Sequence, residues 1–222
     1  LLRYSTAPSR LEKATDEWIA AAAPPGSPRR LDAVIQLGDL IDGSPNRDAA
    51  RADLRHLAAI FDRLPCPVYH VVGNHCLKEI SRDELRKTLR MDADYYRVDL
   101  CEGWRLLVLD TTELSLHGRW PRTSRQNTEA NEYYAAHKGE PRMQTYNGGA
   151  GRMQMDWLRA ELAAAEMDNC RVLVASHHPT AHGSARETHR SWTGDEIAKA
   201  CAESSAFMLG LAGRDHAGGY AT

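Results

Sequence analysis

The sequence predicts an α/β fold, and three observations carry that expectation. Apolar runs of strand length alternate with helical patterns, one close pair of runs reads as a hairpin, and polar side chains of metal-ligand type recur where apolar runs end. Helices that alternate with buried strands pack on sheet faces, which sets this pattern apart from all-α and all-β domains. Open α/β sheets build their sites at the carboxyl ends of strands, so the third observation bears on function as well. No internal repeat, low-complexity tract or linker interrupts the chain, so residues 1–222 are expected to form a single domain.

The elements follow in order. Ser9-Arg10-Leu11-Glu12 reads as a capping box. It opens a helix whose apolar face is Leu11, Trp18, Ile19 and Ala22, and which Pro24, Pro25, Gly26 and Pro28 end. Ala33 to Leu37 is a buried strand running into Gly38-Asp39. Leu54, Leu57 and Phe61 mark a second helix, closed by Pro65 and Pro67. Val68 to Val72 is a second strand, ending in Gly73-Asn74-His75. Ser81-Arg82-Asp83-Glu84 is another capping box, ahead of a short helix through Leu85 and Leu89. Tyr95 to Leu100 and Trp104 to Leu109, with Glu102-Gly103 between them, form the hairpin. Residues 115–150 are polar and irregular, rich in Arg, Asn, Gly and Tyr; so long a stretch without regular structure is either functional or disordered. Met155, Leu158, Leu162 and Ala165 give a further helix. Arg171 to Ser176 is a strand that runs into His177-His178-Pro179. Thr193-Gly194-Asp195-Glu196 caps a helix through Ile197 and Cys201. Phe207 to Leu211 leads into Gly213-Arg214-Asp215-His216.

Composition narrows the function classes. The 222 residues suffice for one sizeable core. The 28 basic and 30 acidic residues nearly cancel. No long-range field therefore draws nucleic acid or membrane, and neither is expected as a partner. No apolar run approaches the roughly 20 residues of a membrane-spanning helix. Leu1-Leu2-Arg3-Tyr4 is followed by no apolar segment of a signal peptide. It also lacks Met, so the chain is expected to begin inside a longer protein. The five cysteines, Cys66, Cys76, Cys101, Cys170 and Cys201, are odd in number and form no CxxC pair. That argues against a disulfide framework or a thiolate zinc site, and for a reducing compartment. Cys76 adjoins a motif; the other cysteines read as small buried hydrophobes. No motif addresses the chain to an organelle, so a cytoplasmic location is expected.

Loops after predicted strands offer Asp39 and Asp42, Asn74 and His75, His177 and His178, and Asp215 and His216. Carboxylate, amide oxygen and imidazole without thiolate suit Mn, Fe, Zn or Mg. Two ions roughly 3.5–4 Å apart can hold a hydroxide between them and neutralise a phosphoryl group under attack. Taken singly, each piece has a plainer reading. Gly-Asp after a strand is a turn, Asn74 after Gly73 is an easy left-handed residue, and a lone loop histidine is a surface histidine. Order and context together, GDLID, GNH, SHHP and GRDHAGGY each at a strand end, point to a site.

That order resembles the signature of the calcineurin-like metallophosphoesterases: D-x-H or D-x-Q, G-D-x-x-D, G-N-H-D/E, H-x-P and G-H-x-H. The resemblance runs from the first helix to Tyr220. QLGDLIDG, DHAGGY, the RYS…LEKATDEW opening and the insert at 115–150 are most similar to the manganese-dependent ADP-ribose/CDP-alcohol diphosphatases. It implies a four-layer α/β/β/α sandwich and hydrolysis of phosphoanhydrides in nucleotide diphosphate compounds by a hydroxide held between two metal ions. The ions implied are manganese, with magnesium, zinc or iron compatible with the same ligands. Among the residues, Asp39 corresponds to the bridging carboxylate, Asn74 and His177 to ligands of the second ion, and His216 to a ligand of the first. His75 corresponds to the histidine that assists the leaving group, and Asp42 to the carboxylate that orients it. An imidazole held by a carboxylate can keep a proton to donate. The insert at 115–150 is expected to cover the nucleotide.

The sequence also departs from the family's pattern. The D-x-H strand and the strands that follow GGY are absent from these 222 residues, which leads us to expect a sandwich lacking those strands and a chain of low stability. Cys76 replaces an acid after GNH. Arg214 stands where the terminal motif has histidine. A guanidinium has no lone pair to offer a metal, but it can clamp a phosphate, so Arg214 is a candidate substrate-binding residue. The alternatives are a degenerate member that binds a nucleotide without turnover, or a phosphodiesterase or phosphatase with another substrate.

Overall fold

A computed structural model describes residues 7–22 and 30–222. The opening Leu1-Leu2-Arg3-Tyr4 and the terminating Pro24, Pro25, Gly26 and Pro28 lie outside the described residues. The elements run α1 (Ala7–Ala22), β1 (Val34–Gln36), α2 (Arg47–Phe61), β2 (Val68–His70), α3 (Arg82–Leu89), β3 (Tyr96–Cys101), β4 (Trp104–Val108), α4 (Arg125–His137), α5 (Arg152–Met167), β5 (Arg171–Ser176), α6 (Gly194–Ala202) and β6 (Phe207–Ala212).

The strands form two sheets. β1 and β2 pair in parallel, and β3-β4-β5-β6 form the larger sheet, with the β3–β4 hairpin antiparallel and the other pairs parallel. Side-chain alternation makes the layers. On β4, Leu106 and Val108 face the small sheet, meeting Val71, Ile35 and Tyr69, while Leu107, and Leu109 just past the strand, point the other way. On β5, Val172 and Val174 join Leu107 and Leu109, and Leu173 and Ala175 face inward. The outward set packs against Leu158 and Leu162 of α5 and Ile197 of α6. On the far side, Leu54, Leu57 and Ile60 of α2 pack with Leu85 and Leu89 of α3. Phe61 of α2 meets His70 of β2 edge-on at 5.4 Å. Helix, sheet, sheet and helix are thus separated by apolar seams, the four-layer sandwich the motifs implied.

Local chemistry explains most boundaries. Asn46 caps α2, its side chain accepting from Ala49 N at 2.9 Å. Ser81 caps α3, accepting from Glu84 N at 3.3 Å, but the carboxylate of Glu84 is taken by Arg47 and Arg51 and does not complete the box. Ser9 does not cap α1. That helix begins at Ala7, so Ser9 lies inside its first turn, where Pro8 is tolerated. Thr193 sits ahead of α6 without capping it, because its hydroxyl pairs with the backbone of Ala150 across the insert. β1 and β2 are each shorter than their apolar runs, since the backbone past Gln36 and His70 turns into the loops that build the site.

The stretch 115–150 is ordered. It contains α4 and a small core in which Ala130 and Met143 meet Leu114 and the fully buried Trp192. Its polar composition reflects hydrogen bonding: buried Asn147 donates to Arg142 O and Thr188 O. All five cysteines are free. Cys76 and Cys201 are buried, Cys66 and Cys170 half-buried and Cys101 exposed, so burial is less general than expected. Among the described residues, no helix is long and apolar enough to cross a membrane.

Candidate metal centre and cleft

The loops after β1, β2 and β5 converge. Gly38 and Asp39 both have left-handed backbones, φ 88° and 51°, which folds the β1 loop back on itself and turns Asp39 toward the β2 loop. Gly73 lets the two loops touch: a Cβ there would run into the backbone nitrogen and carboxylate of Asp39. Asn74 lies in a turn but is not left-handed, so that part of the expectation fails, and Asp39 takes the unusual backbone.

Asp39, Asn74 and His177 meet at one point. His177 Nε2 lies 3.2 Å from Asp39 Oδ2 and 3.1 Å from Asn74 Oδ1. Its Nδ1 is 2.9 Å from Leu37 O. A carbonyl can only accept, so Nδ1 carries a proton and Nε2 is turned toward two oxygens. A lone pair on Nε2 facing two acceptor oxygens is stable only around a cation or a proton. Metal-ligating histidines show the same second contact, the other ring nitrogen donating to a backbone carbonyl. The donor set fits a hard or borderline divalent ion. Among the described residues no group of three His, Cys, Asp or Glu side chains could hold a metal; the third polar atom of this cluster is the Asn74 amide oxygen. Asp39 Oδ1 is already spoken for, accepting from His75 N at 2.8 Å. Burial pushes the Asp39 pKa up, but His177, by charge and hydrogen bond, and His75 outweigh it and hold the carboxyl well below the usual carboxylate range.

His75 is half-buried beside the centre. Its Nδ1 lies 2.5 Å from Asp42 Oδ1 and 3.0 Å from Lys78 Nζ. Asp42 therefore sits against the imidazole it was expected to orient. His178, next to His177, has no hydrogen bond to Asp39 or Asn74, and its Nε2 is buried without a partner. It is fully buried, its Nδ1 lies 2.9 Å from Thr111 Oγ1, and burial followed by the charge of His177 pushes its pKa well down.

The loop after β6 closes one side. Gly213 N and Arg214 N both donate to His177 O, at 3.1 and 3.0 Å. Arg214 Nη1 then stands 3.9 Å from Asp39 Oδ2, its side chain only 11% exposed and its Nε buried without a partner. Asp215 is held by Arg186, whose Nη2 is 2.7 Å from Asp215 Oδ1, so it is no candidate ligand. That contact, ahead of burial, sets its pKa well below the usual range. His216 is exposed on the wall of a cavity of about 530 Å³ that also includes Asp39, Asp42, His75 and Arg214. Asp39, Asn74 and His177 are thus brought together, His75 and Asp42 flank them, and His216 stands on the cavity wall.

Sequence reasoning missed two residues here. Lys78 reaches His75 from one turn along the β2 loop, and the Leu37 carbonyl orients His177. Spacing could have suggested Lys78; no sequence signal marks a backbone carbonyl.

A carboxylate and an amide from the loops after two parallel strands, and an imidazole from a strand of the facing sheet, thus gather at one point. The model of the calcineurin-like phosphoesterase family matches residues 11–207, and the chain belongs to that family of hydrolases. The chain is 30% identical over 227 residues to a manganese-dependent ADP-ribose/CDP-alcohol diphosphatase of Arabidopsis thaliana, covering 95% of this chain and 70% of that protein. It is 29% identical to the rice protein of the same name, covering 98% and 70%. A crystal structure of a dimetal phosphatase from Danio rerio superposes with a TM-score of 0.88 at 27% identity, covering 99% of this chain and 75% of that one.

Proposed function

We propose that this chain hydrolyses the phosphoanhydride bond of nucleotide diphosphate compounds such as ADP-ribose and CDP-alcohols. The observation that carries this is the convergence of Asp39 Oδ2, Asn74 Oδ1 and His177 Nε2, which would hold a divalent ion. Manganese is the ion named for the relatives, and magnesium, zinc or iron suit the same donors. His216, on the cavity wall, is proposed as a further ligand. When bound, the metal supplies Lewis-acid charge to the phosphoryl oxygens and eases deprotonation of water.

The chain's own residues do the rest. Arg214, nearly buried and with an unpartnered Nε, grips a non-bridging phosphate oxygen. Attack by water forms one P–O bond, its proton passing to bulk solvent, while the bond to the bridging oxygen breaks and that oxygen leaves with the electron pair. His75, oriented by Asp42, donates a proton to it. A nucleoside monophosphate and a phosphorylated alcohol result. The insert 115–150 covers the substrate.

Arg214 also favours a second reading, a member that binds nucleotide without turnover, because a guanidinium beside Asp39 disfavours a second cation. The test is Mn²⁺-dependent hydrolysis of ADP-ribose by the chain and by Arg214→His in parallel. Turnover by the parent chain supports the enzyme. Turnover by the variant alone selects the second reading, and silence from both, in folded protein, refutes the first.

A further inference from the structure

The cleft is unequal in charge on its two sides. On one side of His75 and Arg214 the wall is acidic and apolar, with Asp42, Asp53, Leu40, Ile41 and Pro45. On the other it is cationic and aromatic. There Lys78, Arg119 and Arg122 outnumber the single carboxylate Glu79 and, with Trp120, Tyr146 and Asn127, line a cavity of about 700 Å³ that also includes Asn74, His75 and Arg214.

The cationic side is a built surface. Trp120 is fixed by Nε1 donating to Glu113 O at 2.8 Å and by the Arg82 guanidinium 3.9 Å from its ring centroid. Arg119 adopts a left-handed backbone, φ 59°, without being glycine, and its Nε donates to Leu77 O at 2.8 Å. Strain of that kind collects at ligand sites. Arg122 is exposed and has no hydrogen bond or ion pair among the described residues, so its charge is uncommitted. Tyr146 places its ring 5.1 Å from the Arg214 guanidinium, joining the aromatic wall to the phosphate end.

We infer that this cavity is the nucleotide subsite, with the base against Trp120, the Asn127 amide at its edge, and the nucleotide phosphate held by Lys78, Arg119 and Arg122. A nucleobase offers a π face to an aromatic ring, and guanidinium groups pair with phosphate. The carboxylates of the opposite wall repel phosphate and suit a neutral polyol or a quaternary ammonium. A diphosphate therefore lies across the centre in one direction, nucleoside toward the insert and alcohol toward Asp42 and Asp53. The inference rests on the proposed function for the reaction between the halves, but nucleotide binding needs neither metal nor turnover.

The experiment is metal-free calorimetric binding of AMP to the full chain, to Trp120→Ala, Arg122→Glu and Asp53→Asn, with circular dichroism to confirm folding. Arg122 is exposed and unpartnered, so its reversal keeps the fold even if the loss of Trp120 loosens the loop. Each of the first two variants weakens AMP by about tenfold, the scale of one stacked base or one phosphate contact. Asp53→Asn changes it by less than about twofold, as expected for a residue on the alcohol side. Unchanged affinity in Arg122→Glu and folded Trp120→Ala overturns the inference. So does loss of affinity in Asp53→Asn alone, or no AMP binding by the parent chain. Sensitive AMP binding without hydrolysis overturns only the proposed function; hydrolysis with insensitive binding overturns only the subsite.

Discussion

Replacing Arg82 tests how the cleft is held. Its side chain is 6% exposed and lies against Asp110, which is fully buried. Nη1 donates to Asp110 Oδ2 at 2.7 Å, Nε to Gly118 O at 2.6 Å, and Nη2 to both Thr112 O and Thr112 Oγ1 at 2.9 Å. Asp94 Oδ2 is 3.2 Å away, and Trp120 lies over the guanidinium. Arg82→Ala leaves the Asp110 carboxylate buried and unpaired, which costs about 3–5 kcal/mol. That is a large share of the roughly 5–15 kcal/mol that holds a domain folded. Arg82→Lys keeps the charge but not the fork, so Gly118 O and Thr112 O lose their donors and the loop carrying Arg119 and Trp120 loosens. Urea unfolding followed by circular dichroism reads the stability, and AMP binding reads the cleft. We expect Arg82→Ala to lower the midpoint sharply, and Arg82→Lys to lose less stability but to bind AMP more weakly than the parent. A loss below about 1 kcal/mol in Arg82→Ala, or parental AMP affinity in Arg82→Lys, refutes the reasoning.

Two further outcomes are expected. Burial lowers the His70 pKa to about 4, against a small upward pull from Asp62. The folded state thus binds fewer protons than the unfolded one, whose histidine titrates near 6.5; the stability is whole above that pH and lost as pH falls toward 4. Between pH 7 and 5 the loss from this residue is about 2 kcal/mol. His70→Gln should flatten that slope in urea midpoints measured across the range, and an unchanged slope contradicts the assignment. Gly73→Ala drives a Cβ into Asp39. It should abolish the rise in melting temperature produced by Mn²⁺ while leaving the helical signal intact, and a parental Mn²⁺ response would show that the two loops need not touch.

The α/β class and the polar loops at strand ends were legible because both follow from one-dimensional patterns, whereas the four-layer order came only with the resemblance to the family. Leu106 to Leu109 and Val172 to Ala175 are continuous apolar runs, as strands covered on both faces require, and successive side chains go to the inner and outer seams in turn. GDLID, GNH and SHHP each sit where an apolar run stops. Partners far apart in the chain were not legible. Arg82 reads as the second residue of a capping box, yet its guanidinium crosses to Asp110, Thr112 and Gly118. Thr193 reads as a cap and instead bonds Ala150. Periodicity reports which side chains are buried and is silent on which polar groups they satisfy once buried. The insert at 115–150 shows the same limit, since its apolar residues are too sparse for a period and reach Trp192 only through the fold.

The same distinction explains Arg214. In the sequence it is a missing ligand, a substitution that subtracts from the centre. In three dimensions its backbone is tied to the carbonyl of His177, so the guanidinium is carried to Asp39 by the residue that also supplies an imidazole to the centre. Any shift of the β5 loop moves ligand and arginine together. A charge anchored in that way, with an unpartnered buried nitrogen, lies at the junction of the acidic and cationic walls. A phosphate bridging the two cavities would meet it there, so the departure from the family's motif and the asymmetry of the cleft bear on the same group of the substrate.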